Sequence, residues 1–176
     1  MIEDQLKAVI RDIPDFPKPG IVFKDITPLL QHAELVELAV QEFARRLDNI
    51  DFDVIAGIES RGFLFGFLLA QHLNKPFIPI RKQGKLPYHT VSESYKLEYG
   101  QATIEMHEDA FPEGTRVLLH DDLLATGGTV VAASKLIEKV GGVVAGYTFV
   151  ISLDFLQSAG RLTRFNENII SLIGYQ

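Results

Sequence analysis

Apolar residues recur along the chain in short, separated runs rather than in one long block. A short N-terminal helix comes first. Ile13–Gly20, with Pro14, Pro17, Pro19 and Gly20, reads as an ordered turn region after it. Between Ala33 and Leu47, the positions Leu35, Leu38, Ala39, Phe43 and Leu47 fall at helical spacing. Val54–Ile58 is a compact apolar run that stops at the polar turn Glu59–Ser60, and Arg61–Leu73 then reads as a mostly buried helix. Phe77–Ile80 is the next run, with Pro79 arguing against a central hydrogen-bonded place for that residue. Arg116–His120 is a strand ending in Asp121–Asp122. A helix follows Gly127–Gly128 to about Val140, where Gly141–Gly142 stops it. Val143–Ile151 and Ile169–Ile173 supply two further strands. Runs of strand length alternating with helices predict an α/β fold in one domain over residues 1–176, with a mainly parallel central sheet flanked by helices. Such sheets bind ligands at the carboxyl ends of their strands, which here means residues 59–62, 81–85 and 121–129.

Lys82–Gly100 breaks the pattern. It is polar, holds Gly84, Pro87, Ser92 and Ser94, and has little periodicity. A loop of this length inside a compact domain is often an active-site lid; a surface excursion or an extra β-hairpin fits the same composition.

Composition narrows the chemistry. Hydrophobic residues make up 47% and charged residues 23% of the chain, a balance that excludes a disordered tail or a fibrous repeat. There is no Cys, which removes disulfides, thiolate nucleophiles and Cys-based zinc sites. None of the five His has metal-ligand spacing. The formal charge of -6 makes the chain a poor general binder of nucleic acid. An anionic ligand stays open where cations are concentrated. The opening Met1-Ile2-Glu3-Asp4 lacks a signal-peptide pattern, and stretches such as Phe63–Ala70 are too short to span a bilayer. A soluble, cytoplasmic protein with no membrane partner is expected.

The most informative segment runs from Val117 through Asp121, Asp122, Leu123, Leu124, Ala125, Thr126, Gly127 and Gly128 to Thr129. A buried strand brings two carboxylates to the sheet edge. A turn of small residues then leads into a helix start. Glycines let the backbone approach closely, Thr hydroxyls donate, and the helix N-terminus favours a phosphate. The paired Asp suit sugar hydroxyls or a hydrated Mg²⁺, both of which want acceptor oxygens. A phosphate cradle beside a diol-binding pair describes a site for a ribose 5-phosphate. A P-loop needs Gly-Lys-Ser or Gly-Lys-Thr, but the single Gly-Lys here, Gly84–Lys85, precedes Leu86. Gly127–Gly128 does not fit dinucleotide spacing. A nucleophile elbow at Ser60 would need Gly where Ile58 stands.

Three other features read two ways. Arg61 at a helix start is electrostatically unfavourable unless an anion sits nearby. Arg81, Lys82 and Lys85 form a cationic cluster that is either solvated surface or an anion site, where the planar Arg fork holds two oxygens at once. Phe23, alone after a Pro-flanked segment, is either core or a stacking platform.

These residues together resemble the type I phosphoribosyltransferases. The Asp-Asp-Leu-Leu-Ala-Thr-Gly-Gly-Thr form of the motif is similar to that of the adenine-specific members, rather than the hypoxanthine-guanine, orotate or xanthine ones. Similarity extends over Phe16–Pro28, Ile55–Phe63, Arg81–Pro87 and Tyr95–Gly100, in the right order. The resemblance implies a type I phosphoribosyltransferase fold with a small N-terminal hood and a flexible catalytic loop. It implies transfer from phosphoribosyl pyrophosphate (PRPP) to adenine in purine salvage, with Mg²⁺ held through PRPP and water rather than by protein ligands, in a homodimer. By the same resemblance Phe23 stacks on adenine while the backbone of Val22 and Lys24 reads its edge; Lys24 stands where the family often has Arg. Glu59, Ser60 and Arg61 form a pyrophosphate-binding turn. Arg81 and Lys85 act on pyrophosphate oxygens, across a dimer interface in one reading. Leu124, Ala125, Thr126, Gly127, Gly128 and Thr129 bind the phosphate side, and Asp121 and Asp122 hold the ribose. Glu98 handles the purine proton or stabilises positive charge, and Tyr99 helps close the loop. His120 departs from the family, where an apolar residue is usual, and is expected on the strand face opposite the ligand. The rival readings are transfer to another purine base, or a non-catalytic sensor of PRPP or purine.

Overall fold

Every residue of Val54–Ile58 is buried, as a strand covered on both faces requires. The computed structural model describes residues 1–97 and 100–176, so Glu98 and Tyr99 lie outside the described residues. The helices are α1 (Ile2–Lys7), α2 (Ala33–Arg46), α3 (Gly62–His72) and α4 (Gly128–Lys139). The strands are β1 (Arg11–Pro14), β2 (Val22–Asp25), β3 (Val54–Ile58), β4 (Phe77–Lys82), β5 (Thr90–Lys96), β6 (Gln101–His107), β7 (Arg116–Leu124), β8 (Val143–Leu153) and β9 (Ile169–Tyr175). The main sheet has the order β5-β6-β4-β3-β7-β8-β9, and β1-β2 form a separate two-stranded sheet. Strands β4, β3, β7, β8 and β9 pair in parallel, while β6 joins β4, and β5 joins β6, antiparallel.

Alternation along the strands builds the two layers. Val54, Ala56, Val117, Leu119 and Tyr147 pack with Val130, Ala133 and Leu136 of α4. Ile55, Leu118 and Leu172 face the other way, onto Phe43 of α2 and Phe65 and Leu69 of α3. Helix α3 approaches the sheet through Gly66, where a Cβ would lie 3.1 Å from the Phe77 ring and 3.3 Å from His120. Its opposite side is open: Leu64, Phe67 and Leu68 are 41%, 51% and 40% exposed. The expected mostly buried helix is therefore apolar all round but covered on one side.

The polar stretch after β4 folds as a hairpin over its described residues, with Thr90–Lys96 paired to Gln101–His107. Of the readings left open for it, the hairpin is the one adopted there. Val91 and Tyr95 turn toward the α4 layer, while the intervening Ser92 and Ser94 dilute the hydrophobic signal that would have marked a strand. Glu93 ties the hairpin to α4 through Lys135 (3.1 Å) and Lys139, whose Nζ also donates to Ser92 O at 2.7 Å.

Pro79 does sit in an interior strand. The Ile55 N–H donates to Pro76 O and the Glu59 N–H to Ile80 O, so the even-numbered residues of β4 turn their backbone groups to β3. The Pro79 nitrogen faces the other edge, where the ladder to β6 begins only at Arg81. Strand β7 runs past His120 through the acid pair to Leu124, because its pairing with the long β8 continues there. The Pro-rich N-terminal region holds β1 and β2 on either side of its turn, and these form the hood. Arg11 Nη2 to Asp25 Oδ2 (2.7 Å) and Lys24 Nζ to Asp12 Oδ1 (2.6 Å) link the two strands. Lys24 also lies over the Tyr175 ring at 4.1 Å, which seats the hood on the end of β9.

Candidate active site

Asp121 and Asp122 lie side by side near the end of β7, and both line one cleft. Asp122 is 5% exposed and meets Arg61, its Oδ2 lying 2.7 Å from Nε. The anion that the Arg at the helix start calls for is thus supplied by the chain itself. Asp121 Oδ1 accepts the Asp122 N–H at 2.9 Å. Burial, and then the Asp122 charge, push the Asp121 carboxyl well above the usual carboxylate range. Gly62 permits this arrangement, since a Cβ there would stand 3.0 Å from Asp121 Oδ1 and 3.1 Å from His120 O. The Arg61 guanidinium lies 4.9 Å from the centre of the Phe23 ring, and Phe23 meets Phe16 edge-on at 5.2 Å. Hood, helix start and acid pair are therefore one continuous stack.

Glu59 closes β3 and gathers the neighbouring cations. Its carboxylate lies 3.2 Å from Arg81 Nε, 3.2 Å from Lys85 Nζ, and accepts the Lys82 N–H at 2.9 Å. Burial pushes this carboxyl up, but the Lys82 N–H, Lys85 and Arg81 hold it below its ordinary value. The Glu59–Ser60 peptide bond is cis.

The turn before α4 takes its shape from Gly127, at φ +77, which caps the helix. Its carbonyl accepts the Val131 N–H at 2.9 Å, opening the helical ladder. The N–H groups of the first turn have no intrahelical acceptor, as at any helix start. Arg161 Nη1 donates to Thr126 O at 2.7 Å and braces the turn from outside. A Cβ at Gly128 would lie 3.6 Å from Tyr95, so the hairpin rests on the same turn.

A cleft of about 460 Å³ joins these parts. It brings together Glu59, Ser60, Arg61, Asp121, Asp122 and Thr129, all singled out from sequence. It adds Ile58, Tyr95 and Leu123, given no site role from sequence, and Lys82, which the sequence marks only as part of a cationic cluster. Alternation was the available signal: Lys82 follows Arg81 on a strand and so faces the other way, and Leu123 does the same beside Leu124. Leu124 is 3% exposed and belongs to the core cluster under α4. Arg81 and Lys85 pair with the Glu59 carboxylate and do not line the cleft. Val22 and Phe23 belong to the hood, with Val22 48% exposed. The Lys24 side chain points away, to Asp12 and Tyr175. A larger hollow of about 560 Å³, lined by Glu3, Lys7, Asp154 and Gln176 among others, contains neither Asp121 nor Asp122.

His120 is fully buried among the α2–α3 layer. Its Nδ1 lies 2.9 Å from Thr148 Oγ1, its ring is edge-on to Phe43, and it takes no part in the cleft wall.

Residues 26–165 match the phosphoribosyl transferase domain family. The chain is similar to the adenine phosphoribosyltransferase of Cytophaga hutchinsonii, with 53% identity over 175 residues, covering 99% of this chain and 97% of that one. It is 52% identical over 168 residues to that of Thermosipho africanus, covering 96% and 98%. Among solved structures, the adenine phosphoribosyltransferase of Thermoanaerobacter pseudethanolicus superposes with a TM-score of 0.95 at 48% identity, covering 99% of this chain and 100% of that one. The Saccharomyces cerevisiae adenine phosphoribosyltransferase, in complex with an imino-altritol bisphosphate and adenine, superposes with a TM-score of 0.90 at 36% identity, covering 97% and 98%.

Proposed function

The chain belongs to the phosphoribosyl transferase family, among the adenine phosphoribosyltransferases, and from that membership we infer that it transfers the 5-phosphoribosyl group of PRPP to adenine, giving AMP and pyrophosphate. The bond from ribose C1 to the diphosphate oxygen breaks, a bond from C1 to a purine nitrogen forms, and that nitrogen loses its proton. The observation that carries the reading is the single cleft in which an acid pair, a cation at a helix start and the first turn of a second helix converge.

The residue roles follow from charge and reach. The helix start at Thr126–Thr129 anchors the 5-phosphate and so fixes the position of C1. Asp121 and Asp122 hold the ribose hydroxyls, and the negative field of Asp122 favours the positive charge that builds on the sugar as the bond to diphosphate lengthens. Arg61, Arg81, Lys82 and Lys85 receive the departing diphosphate. In the free chain, Arg61, Arg81 and Lys85 are paired with Asp122 or Glu59, so donor binding exchanges carboxylate partners for phosphate oxygens. Phe23 stacks on the base. The outward turn of the Lys24 side chain supports reading of the purine edge by the backbone of Val22 and Lys24, which tolerates Lys in place of Arg. Glu98, proposed to handle the purine proton, and Tyr99, proposed to help close the site, lie outside the described residues.

Mg²⁺ is proposed to arrive with PRPP. No group of three or more His, Asp or Glu side chains among the described residues is arranged to hold a metal. Two carboxyl groups on the cleft wall suit an ion that keeps its water and binds mainly through the donor. Bound in that way, it supplies neutralisation of the diphosphate charge.

A second copy of the chain is proposed to cover α3, whose exposed Leu64, Phe67 and Leu68 form an apolar face unusual for a monomer. Among the described residues no helix is long and apolar enough to cross a membrane. A cytoplasmic location, one domain over residues 1–176 and no nucleic-acid partner complete the proposal. The test is a panel of purines with PRPP and Mg²⁺, following nucleotide formation for each base. Adenine is expected to give AMP; preference for guanine or hypoxanthine would overturn the assignment.

A further inference from the structure

Glu105 lies in the middle of β6, is 8% exposed, and takes no part in the mechanism above. Its carboxylate reaches across the sheet to the turn that follows β4 and accepts the Gly84 N–H at 3.0 Å. The two neighbouring N–H groups are also held: Lys82 donates to Glu59 at 2.9 Å and Gln83 to Thr103 O at 3.1 Å. Arg81 Nη1 closes the turn on Lys85 O at 3.2 Å. Gly84 sits at φ +83 with open space around it, so its conformation is set by these bonds and not by packing. The turn therefore has two carboxylate anchors, Glu59 and Glu105, although it carries the cations Arg81, Lys82 and Lys85.

Acids beside an anion site are electrostatically adverse, so Glu105 needs another reason to be there. A carboxylate is a stronger acceptor for a backbone N–H than a neutral group. We propose that Glu105 is a positioning residue for the pyrophosphate side of the reaction: it fixes the turn at residues 82–85 so that Lys82 and Lys85 meet the diphosphate of PRPP. The proposal rests on the transferase reading of the cleft.

The test compares Glu105→Ala and Glu105→Gln in the full-length chain, measuring KM for PRPP, product inhibition by pyrophosphate, KM for adenine and thermal stability. The Ala variant is expected to raise the PRPP KM and the pyrophosphate inhibition constant about tenfold, with the adenine KM moving less than about twofold. The Gln variant keeps an acceptor oxygen and is expected to stay within about threefold of wild type. Gly84→Ala strains the turn without touching Glu105, and is expected to reproduce the Ala phenotype even if Glu105→Ala fails to fold. Tighter PRPP binding in both Glu105 variants would mean simple relief of repulsion and would overturn the proposal. So would an adenine KM rising in step with that for PRPP, or a Gly84→Ala enzyme with an unchanged PRPP KM. A wild-type chain that does not bind PRPP would instead overturn the transferase reading itself.

Discussion

Replacing His120 by Leu should make the protein more resistant to mild acid. His120 is fully buried, and that burial lowers its pKa from 6.5 to about 3. In the unfolded chain the imidazole is free to take its proton near the ordinary value. As pH falls below 6.5, the unfolded state binds a proton that the native state refuses, so stability is full above 6.5 and declines steadily toward pH 3. At pH 5 this one group should cost about 2 kcal/mol. For a domain of this size, that corresponds to a melting temperature lower by about 4–8 °C. Asp121 acts in the opposite sense, because its raised pKa makes the native state bind a proton more tightly. That contribution is shared by wild type and variant, so it cancels to first order in the difference between them. The loss of the Thr148 partner adds a penalty of about 1 kcal/mol that does not depend on pH. The assay is denaturant unfolding of both proteins from pH 8 to pH 5. The gap between them should close and then reverse as pH falls. Parallel pH profiles would refute the claim that the buried neutral imidazole sets the acid sensitivity.

Three further substitutions test the site and its scaffold. Asp122→Ala should lower kcat/KM for PRPP by about a hundredfold or more, since it removes an acceptor aimed at the charged transition state; steady-state kinetics beside an unchanged circular dichroism spectrum checks this. Gly62→Ala places a Cβ against Asp121 and His120 O, and should destabilise by about 1–3 kcal/mol as well as slow turnover; stability and activity at wild-type levels would mean that the contact yields freely. Phe67→Glu puts a charge on the open face of α3; the wild-type chain is expected to sediment as the proposed dimer and the variant as monomer, whereas a wild-type monomer or an unchanged variant dimer would contradict the proposal.

Fold class and cleft were legible because both rest on strong local signals. Buried parallel strands are apolar at nearly every position, as Val54–Ile58 is, and the strand–turn–helix around Asp121 to Thr129 combines carboxylates, small residues and a helix start within a few positions. The antiparallel additions leave weaker signals, and a hairpin is only one of the readings that Lys82–Gly100 allows. In Thr90–Lys96 one face carries serines in the open, and in Arg11–Pro14 and Val22–Asp25 the strands are too short and too exposed to show a period. Pairings between distant residues were equally hidden. Nothing local in Arg61 tells that its partner is Asp122, and nothing local in Glu105 tells that it holds Gly84, because the sheet order decides both. Leu124 lies within the matching segment, yet its side chain packs into the core under α4 while Leu123 lines the cleft, a difference no local motif reveals.

Calorimetric titration of the protein with PRPP in the presence of Mg²⁺ probes the donor site itself. Saturable binding at one site per chain, abolished or strongly weakened when Asp121 and Asp122 are both changed to Asn, is the predicted result. No detectable heat of binding in the wild-type protein, or undiminished affinity in the double variant, would contradict the placement of the ribose between these carboxylates and the start of α4.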